Sequence, residues 1–451
     1  MTAAATPEVT RTLARYVLAA RPADIPANVR HEAARALVNA LGCAIGSARH
    51  ETVAAALAAV GEFAGPPQAA VFGRGERLDI LNAALVNGIS THVLDYDDTH
   101  ARAVHPSAPL WPALLAFAEW RKVSGADLIH AFVLGVEAEC RIALSVFPEH
   151  YDRGWHITGT AGIFGAAAAA GRLLGLNEQQ LCWALGIAAT QSAGLREMFG
   201  SMCKSLHPGR AAQSGLTAAL MAAKGFTSSE RAIEAKRGWA NVTSTRFDPA
   251  VITEELGTRF ELLSNMYKPY ACGLVVHAAI DACIQLRTAH APDPAAIEKV
   301  ELTVCPIVME LTAIKEPRTG LEGKFSIFHA AATALVFGAA GEAQFATAAV
   351  NDPRVVALRR CVTVAPDPQL KKIQARVRLV LKDGRSVETF VENALGTLAR
   401  PMSDADLEAK FRGLVDGVLA RAEADRLLEL CWSAETLADA GDIARATVPR
   451  G

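Results

Sequence analysis

The feature that most constrains this fold is a dense run of small residues in a helical region. Residues 161–171 are alanine or glycine apart from Ile163 and Phe164. Small side chains let two helices approach each other closely, which suits a helix-on-helix core better than a sheet. The sequence therefore predicts a core built mainly from packed helices.

Apolar residues keep a helical period from the start of the chain to about residue 267. Val29, Ala33, Leu37 and Leu41 fall on one helical face. Farther on, Asn177 followed by Gln180 is typical of a reciprocal cap at a helix start. This part of the chain is predicted to form a large helical domain.

The period changes to two after about residue 295. Val300, Leu302 and Val304 alternate with polar neighbours, and a longer alternation covers residues 373–381. Asp383-Gly384 then provides a tight turn before a returning strand, which predicts a hairpin. Residues 326–337 between these strands have a helical pattern.

Helical character returns at Ser403, which can cap a helix whose apolar face includes Leu407, Phe411 and Leu414. The predicted fold is therefore mainly α, a large all-helical domain with a smaller inserted α+β lid domain. The helical domain is expected at residues 1–267 plus 396–451, and the α+β lid domain at residues 268–395.

The composition excludes several classes of protein. Hydrophobic residues make up 51% and charged residues 20% of the chain, as in ordinary globular proteins. Lys+Arg 45 against Asp+Glu 47 gives a net charge of -2, so the basic excess of a nucleic-acid-binding protein is missing. Any strong anion site must therefore be built locally.

The apolar segments indicate a protein without a membrane partner. Residues 1–15 lack a basic flank followed by an apolar core, so no secretory signal is expected. The most apolar stretches, such as residues 163–170 and 330–340, are shorter than the ~20 residues that span a bilayer. We expect a soluble, cytoplasmic protein.

Neither the cysteines nor the glycines indicate a cofactor. The nine cysteines are odd in number and contain no CxxC pair, which argues against a disulfide framework, a zinc knuckle or an iron–sulfur cluster. No GxGxxG motif follows a strand and no P-loop motif occurs, so dinucleotide and P-loop chemistry are not supported. No cofactor is expected.

The densest polar cluster runs from His92 to His100 and contains three aspartates, with His105 shortly after it. Three functional hypotheses compete: a divalent metal site, a magnesium–diphosphate site, and an acid/base site in which a carboxylate holds a histidine. The diphosphate hypothesis requires a further aspartate at position 101, where this chain has Ala101. The alternative is a solvated loop whose Asp and Thr side chains cap helices.

Two further candidate sites accompany predicted helix starts. His156, in the segment GWHITG, precedes a small-residue helix and either packs there or takes part in chemistry. Lys204, His207 and Arg210 precede a predicted helix over residues 211–223. The amino end of that helix would favour a carboxylate or phosphate, and the alternative is a basic surface turn.

The last two candidate sites lie near or inside the smaller domain. Lys268, with His277 about two turns on, lies near the predicted domain junction, where clefts usually form. His329 follows Phe328 and is more often a packed helix residue unless it faces a cleft.

Five segments in this order, LDYDDTH…HPS, GWHITGTAG, KSLHPGRAA, KPYACG and EGKFS, resemble the MmgE/PrpD family of 2-methylcitrate dehydratase, cis-aconitate decarboxylase and iminodisuccinate epimerase. The resemblance covers residues 29–414. It implies a helical domain with an α+β lid, a homodimer, and chemistry without a metal or an iron–sulfur cluster.

The resemblance also implies which residues form the site. Catalytic roles fall on His105, His156, Asp95 and Lys268. Substrate-binding roles fall on Thr99, Lys204, His207, His277 and His329. In the decarboxylase branch a tyrosine follows the FS segment, and His329 occupies the matching position here, a departure that could mark a different substrate.

The implied chemistry is proton abstraction beside a carboxylate of a small di- or tricarboxylate. Lys204, His207 and Lys268 would bind carboxylates and stabilise the developing charge. His105 or His156 would act as base and the other as acid. Asp95 would orient a histidine or accept a substrate hydroxyl, and Thr99 would donate a hydrogen bond.

Three outcomes remain open at this point. A dehydratase-type lyase is favoured, with an epimerase second and a decarboxylase as a further alternative. A hypothesis of another class is a non-catalytic helical dimer that binds a carboxylate.

Overall fold

The computed structural model describes residues 8–450, so residues 1–7 of the segment expected to lack a secretory signal lie outside the described residues. The chain divides into two compact units. The larger contains residues 8–93, 97–265 and 407–450, and the smaller contains residues 94–96 and 266–406. The sequence prediction placed these divisions at residues 267 and 396, and it did not foresee that residues 94–96 group with the smaller unit.

Within residues 8–265, the structure has twelve α-helices. They are α1 Val9–Ala19, α2 Ala27–Gly46, α3 Glu51–Gly61, α4 Ile80–His92, α5 Ser107–Trp120, α6 Gly125–Val146, α7 Glu149–Asp152, α8 Ile157–Leu174, α9 Glu178–Gln191, α10 Cys203–Ala223, α11 Trp239–Thr243 and α12 Ala250–Thr253. The predicted mainly α fold is confirmed.

The larger unit is not wholly helical, which corrects one detail of the prediction. Strands β1 Ala69–Ala70 and β2 Arg77–Leu78 pair antiparallel and close the loop between α3 and α4. A third two-residue strand, β3 Thr99–His100, follows α4. Such short pairings leave no apolar alternation for a sequence pattern to detect.

Sequence signals for individual helices are confirmed. Helix α2 covers the predicted apolar face, and Val29, Leu37 and Leu41 are buried in the core. The Asn177 side chain accepts a hydrogen bond from the Gln180 backbone amide at 2.9 Å, and the Gln180 side chain accepts one from the Asn177 amide at 3.1 Å. This reciprocal cap starts α9.

Helices α4 and α8 both pack against α10 in the larger unit. A Cβ added at Gly88 of α4 would lie 2.6 Å from the Gly209 Cα of α10, and one added at Gly209 would lie 2.5 Å from the Leu85 carbonyl oxygen. Gly215 of α10 meets α8 in the same way at Ile163 and Ala166. These distances leave no room for any side chain, so glycine sets the spacing of the three helices.

Helix α8 corrects the expectation that every apolar stretch is too short to cross a bilayer. Among the described residues, α8 alone is long and apolar enough by length and composition, with a mean hydropathy of 1.3 over 18 residues. The helix begins at Ile157 and includes Thr158 and Thr160, so it is longer than the apolar stretch of residues 163–170. Of its residues, 83% are buried. Packing against α6 and α10 accounts for this composition.

The smaller unit is a sheet covered by helices. Its elements from residue 265 onward, the first of them at the boundary between the units, are β4 Asn265–Met266, α13 His277–His290, β5 Ile297–Val304, α14 Pro306–Thr312, α15 Gly320–Lys324, α16 Ile327–Phe337, α17 Thr347–Val350, α18 Pro353–Arg359, β6 Val362–Pro366, β7 Ala375–Leu381 and β8 Ser386–Val391.

The four long strands of this unit have the order β6-β5-β7-β8. Strands β5 and β6 are parallel, and the other neighbours are antiparallel. The predicted hairpin is confirmed as β7–β8, with Gly384 at φ 88° in its turn. Val377 and Leu379 point inward and are buried, while Arg376 and Arg378 are exposed. The buried face is covered by α13, which in turn packs against α16.

The chain returns to the larger unit through α19 Asp404–Val415, α20 Arg421–Trp432 and α21 Gly441–Arg445. The Ser403 hydroxyl accepts a hydrogen bond from the Asp406 amide at 3.2 Å, which confirms the predicted cap. Phe411 and Leu414 pack on Gly42 and Gly46 of α2. The carboxyl-terminal helices therefore complete the core that α2 begins.

The replacement Gly88→Ala tests the contact between α4 and α10. We expect about 1–3 kcal/mol of destabilisation, because the new Cβ must push the two backbones apart. The thermal unfolding midpoint measures this effect. Gly413→Ala is the matched control, since a Cβ at that exposed helical position meets nothing within 4 Å. Equal midpoints for the two variants would show that the contact is loose.

Candidate active site

Four imidazole rings form one cluster in the larger unit. His92 is the last residue of α4, His105 lies just before α5, His156 caps the amino end of α8, and His207 lies in the second turn of α10. Ring centroids are 4.8 Å apart for His92 and His105, 5.8 Å for His92 and His156, and 5.1 Å for His156 and His207. Three of the predicted site histidines are thus brought together.

Two glycines allow the rings of His156 and His207 to lie next to each other. A Cβ at Gly159 would lie 2.8 Å from the His207 Cβ, so only glycine lets α8 approach α10 at this level. Gly194, at φ +142°, accepts a hydrogen bond from the His156 amide at 2.9 Å and leaves space beside the His207 ring. The two Nδ1 atoms of the histidines are then 2.8 Å apart. One of these two nitrogens donates a hydrogen bond to the other.

A buried carboxylate links the other two histidines. The Oδ2 atom of Asp97 is 2.8 Å from Nδ1 of His92 and 3.3 Å from Nδ1 of His105. Burial alone would raise the pKa of Asp97, but the two imidazoles lower it well below its usual range. Asp97 is therefore anionic, and it can stabilise a positive charge on a neighbouring imidazole.

Only one ring nitrogen of His105, Nε2, is available to accept a proton, because the other is engaged in a hydrogen bond. Its Nδ1 is 2.8 Å from the Asp98 backbone carbonyl, which can only accept, so this nitrogen carries the proton in the neutral ring. Its backbone amide donates to the Thr158 hydroxyl at 3.2 Å. The side chain is 17% exposed, whereas the side chain of His92 is 0% exposed. Nε2 of His105 is therefore an oriented, unprotonated nitrogen on the more accessible ring.

His92, His156 and His207 are neutral in this structure. Burial lowers the pKa of His92 to about 4, and it also lowers the pKa of His156 and of His207. Lys204 contributes to all three shifts, because its positive charge disfavours a second cation nearby. Lys204 is half-buried, and its ammonium lies 5.5 Å from the centre of the Phe199 ring.

The prediction that residues 204–210 precede a helix was wrong. They lie inside α10, which begins at Cys203 and continues through Pro208. Proline removes one backbone donor but its φ is compatible with a helix, so Pro-Gly does not end the helix here. Lys204 consequently lies in the first turn, where the helix dipole also favours an anion.

Two fully buried carboxyl groups accompany the cluster. Burial and the neighbouring Asp97 raise the pKa of Asp98 to about 6, although Ser107 and Asn265 donate to its Oδ2 at 2.7 Å and 2.6 Å. Burial raises the pKa of Glu139 well above its usual value, with a smaller contribution from Asp98. Burial therefore favours the protonated form of Glu139.

The metal hypothesis has a candidate set of ligands in His92, Asp97 and His105, whose ligand atoms lie within 4.8 Å of one another. The chemistry of these donors fits hydrogen bonds better. Nδ1 of His105 faces a backbone carbonyl at hydrogen-bond distance and so carries a proton, which leaves only Nε2 of that ring with a lone pair to offer. As arranged here, Oδ2 of Asp97 lies between the Nδ1 atoms of His92 and His105 as a hydrogen-bond acceptor.

The smaller unit holds a second polar group around Asp95 and Lys268. The Lys268 ammonium donates to the Asp95 backbone carbonyl at 2.7 Å and to its carboxylate at 3.0 Å. Asp95 has φ 53°, in the left-handed region that non-glycine residues rarely adopt. Lys324 likewise donates to the Leu94 carbonyl at 2.6 Å. These contacts fix residues 94–95 in a strained conformation.

The remaining predicted residues have the following positions. Nε2 of His277 is 3.1 Å from the Cys272 carbonyl, and His277 is buried in the smaller unit. His329 in that unit is 0% exposed, and its Nε2 lies 3.0 Å from the Gln344 carbonyl. Thr99 is buried in the larger unit, with its hydroxyl 3.4 Å from the His100 carbonyl. Substrate contacts of these three residues stay predictions.

Sequence reasoning missed two members of the cluster. It included His92 and Asp97 in the dense polar segment and considered Asp97 as part of a magnesium–diphosphate site, but it named neither of them as a catalytic or substrate-binding residue. The available signal was the spacing: His92 ends a helix and Asp97 follows after a short turn, so their side chains can meet. Nothing in the segment alone indicated which of its three aspartates would face the histidines.

Comparison with known proteins agrees with this architecture. The MmgE/PrpD N-terminal domain model matches residues 11–252, and the MmgE/PrpD C-terminal domain model matches residues 270–434. The chain belongs to the MmgE/PrpD family.

Relatives in this family include fungal and animal proteins. A cis-aconitate decarboxylase-like protein of Aspergillus oryzae is 27% identical, over 97% of each chain. The cis-aconitate decarboxylase of Aspergillus terreus is 27% identical, over 92% of this chain and 91% of its own. The cis-aconitate decarboxylase of Homo sapiens is 28% identical, over 80% of this chain and 78% of its own.

The buried histidines predict how stability depends on pH. Burial lowers the pKa of six of them below the ordinary value of 6.5, namely His92, His130, His150, His156, His207 and His329. The unfolded chain therefore binds more protons than the folded chain as the pH falls from 6.5 towards 4, and acid removes stability. We expect the thermal unfolding midpoint to decrease from pH 7 to pH 5.

Three buried carboxyl groups, Asp98, Glu137 and Glu139, have raised pKa values and act in the opposite direction. They are fewer than the six histidines, so the decrease should prevail. A midpoint that stays constant or rises on acidification would contradict the neutral state assigned to the histidines.

Proposed function

We propose that this protein is a cofactor-independent lyase that acts on a small polycarboxylate. The first candidate reaction is decarboxylation of an unsaturated tricarboxylate of the cis-aconitate type. Family membership and the names of the relatives support this choice. The observation that carries it is the His105 ring, held by Asp97 and by the Asp98 carbonyl with Nε2 available.

His105 is the proton carrier in this proposal. The anionic Asp97 beside its Nδ1 would stabilise the cation formed when Nε2 takes up a proton. His156 would remain neutral and act as a hydrogen-bonding group, because its burial and the adjacent Lys204 disfavour a charge. His207 shares a hydrogen bond with Nδ1 of His156, so the protonated nitrogen of one ring depends on that of the other.

Lys204 would bind a substrate carboxylate. Its ammonium is half-buried at the amino end of α10, where the helix dipole adds to its attraction for an anion. An ammonium accepts several carboxylate orientations as a compact charge, which suits a substrate whose charge moves during the reaction.

The proposed reaction balances with one proton. The bond between a substrate carbon and its carboxylate breaks, CO2 leaves, and the electron pair enters the remaining unsaturated carboxylate system as an enediolate. Lys204 would stabilise that developing negative charge. Nε2 of His105 would take up a proton from solvent before this step and then deliver it to the carbon, which leaves the ring neutral for the next turnover.

Dehydration is the second candidate, because the chain has His329 where the decarboxylase branch of the family has tyrosine. Loss of water needs a proton removed from carbon and another delivered to the leaving hydroxyl. His105 and the pair of His156 and His207 would share these two steps.

The roles expected for Asp95, Lys268, Thr99 and His277 remain proposals from the family resemblance. A homodimer and a cytoplasmic location are proposals on the same basis.

The variant His105→Gln tests the proton carrier. Glutamine keeps similar volume but cannot take up a proton, so we expect kcat to fall by roughly 10²- to 10⁴-fold. Proton NMR in deuterium oxide should follow cis-aconitate, 2-methylcitrate and iminodisuccinate, since decarboxylation, elimination and exchange give different spectra.

His290→Gln is the matched control, because His290 is exposed at the end of α13 in the smaller unit. Undiminished turnover by His105→Gln would remove His105 from the mechanism. Binding of a polycarboxylate by the unaltered protein without any product would favour the non-catalytic hypothesis, and activity lost to EDTA and restored by a divalent cation would contradict cofactor independence.

The variant Lys204→Met tests carboxylate binding. Methionine keeps much of the apolar stem but removes the charge, so we expect a KM at least tenfold higher, equivalent to about 1.4 kcal/mol of lost binding. Lys224→Met at the other end of α10 is the matched control, because that lysine is exposed. An unchanged KM and kcat for Lys204→Met would place the carboxylate elsewhere.

A further inference from the structure

His92 has no role in the proposed reaction, yet it is the most buried ring of the cluster. Its side chain is 0% exposed, so it cannot touch a substrate without rearrangement of the core. It ends α4 one turn after Gly88, and the contact of Gly88 with α10 fixes where this helix end lies. His92 is therefore held in place by the helix packing itself.

The contact that His92 makes is with the carboxylate that serves His105. Nδ1 of His92 is 2.8 Å from Oδ2 of Asp97, closer than the 3.3 Å between the same oxygen and Nδ1 of His105. The two rings meet edge to face with centroids 4.8 Å apart. One carboxylate oxygen is thus shared by a buried ring and a more accessible ring.

The other carboxylate oxygen of Asp97, Oδ1, makes no hydrogen bond in the described part of the chain that would fix the orientation of the side chain. Among the described residues, Oδ1 is buried and has no hydrogen-bond partner. The direction of the carboxylate plane therefore depends on what binds Oδ2. Without the stronger of its two contacts, the Asp97 side chain could rotate away from His105.

We propose that His92 is a positioning residue that holds the Asp97 carboxylate against His105 by donating a hydrogen bond from Nδ1. The neutral ring of His92 has one proton, and the anionic carboxylate fixes it on Nδ1. His92 then neither takes up nor releases a proton during the reaction. It acts on the substrate only through Asp97 and His105.

The kinetic part of this inference rests on the proposed function. Three variants separate the hydrogen bond from the packing. His92→Asn places an amide donor near the position of Nδ1, His92→Gln places one near the position of Nε2, and His92→Phe keeps a flat ring without a donor. A thermal unfolding curve for each variant shows whether it has folded.

We expect His92→Phe and His92→Gln to lower kcat by about 10- to 100-fold, since a misplaced Asp97 leaves His105 less well oriented. KM should change less than about twofold, because His92 does not contact the substrate. His92→Asn should recover most of kcat. A folded His92→Phe variant with the kcat of the unaltered protein would overturn the proposal, and so would a His92→Asn variant as slow as His92→Phe.

A spectroscopic measurement tests the same inference without turnover. Long-range ¹H–¹⁵N spectra of protein labelled at histidine report which ring nitrogen carries the proton. We expect the His105 proton to stay on Nδ1 in every variant, because the Asp98 carbonyl accepts from it at 2.8 Å. The resonance of this proton should lie farther downfield in His92→Asn, where the Asp97 carboxylate is held beside it, than in His92→Gln. Neither variant has a ring at position 92, so the comparison is free of a ring-current difference. The His105→Gln variant assigns the signal.

Equal shifts of the His105 Nδ1 proton in folded His92→Asn and His92→Gln would overturn the positioning role even if no substrate is ever found. Conversely, the expected difference in this shift with no turnover by the unaltered protein would contradict the proposed function alone. The two failures are thus distinguishable.

Discussion

The close packing of α4 and α8 against α10 determines where the histidine cluster lies. Gly88 and Gly209 bring the first and last of these helices together, and Gly159 lets α8 meet α10 beside His207. A histidine lies within two to four residues of each contact. Because backbone packing sets the positions of His92, His156 and His207, the cluster is placed by rigid elements and not by flexible loops.

Burial then decides the charges. Four imidazoles near one lysine would repel each other if protonated, and desolvation already disfavours their cationic forms. The anionic carboxylate of Asp97 is shared by His92 and His105. This contact and its partial exposure distinguish His105 from His156 and His207, whose Nδ1 atoms are bound to each other.

The sequence predicted the elements with local signals and several residues of the cluster. Caps at Asn177 and Ser403 and the turn at Gly384 depend only on neighbouring residues, so pattern reading could find them. The role of His92 could not be found in this way, because it depends on a helix contact between positions 88 and 209. The start of α10 at Cys203 was missed because Pro-Gly usually interrupts a helix, whereas here it packs inside one.

Charge balance connects the cluster with the proposed class of substrate. Without substrate, the Asp97 carboxylate and the Lys204 ammonium are of opposite sign, and the buried imidazoles add no charge. A polycarboxylate brings further negative charge into this region, which favours uptake of a proton by His105, the ring proposed to carry it. The more deeply buried histidines stay neutral, so they avoid the cost of buried cations. They can still donate hydrogen bonds to the anion, whereas lysines at the same positions would have to be buried as cations.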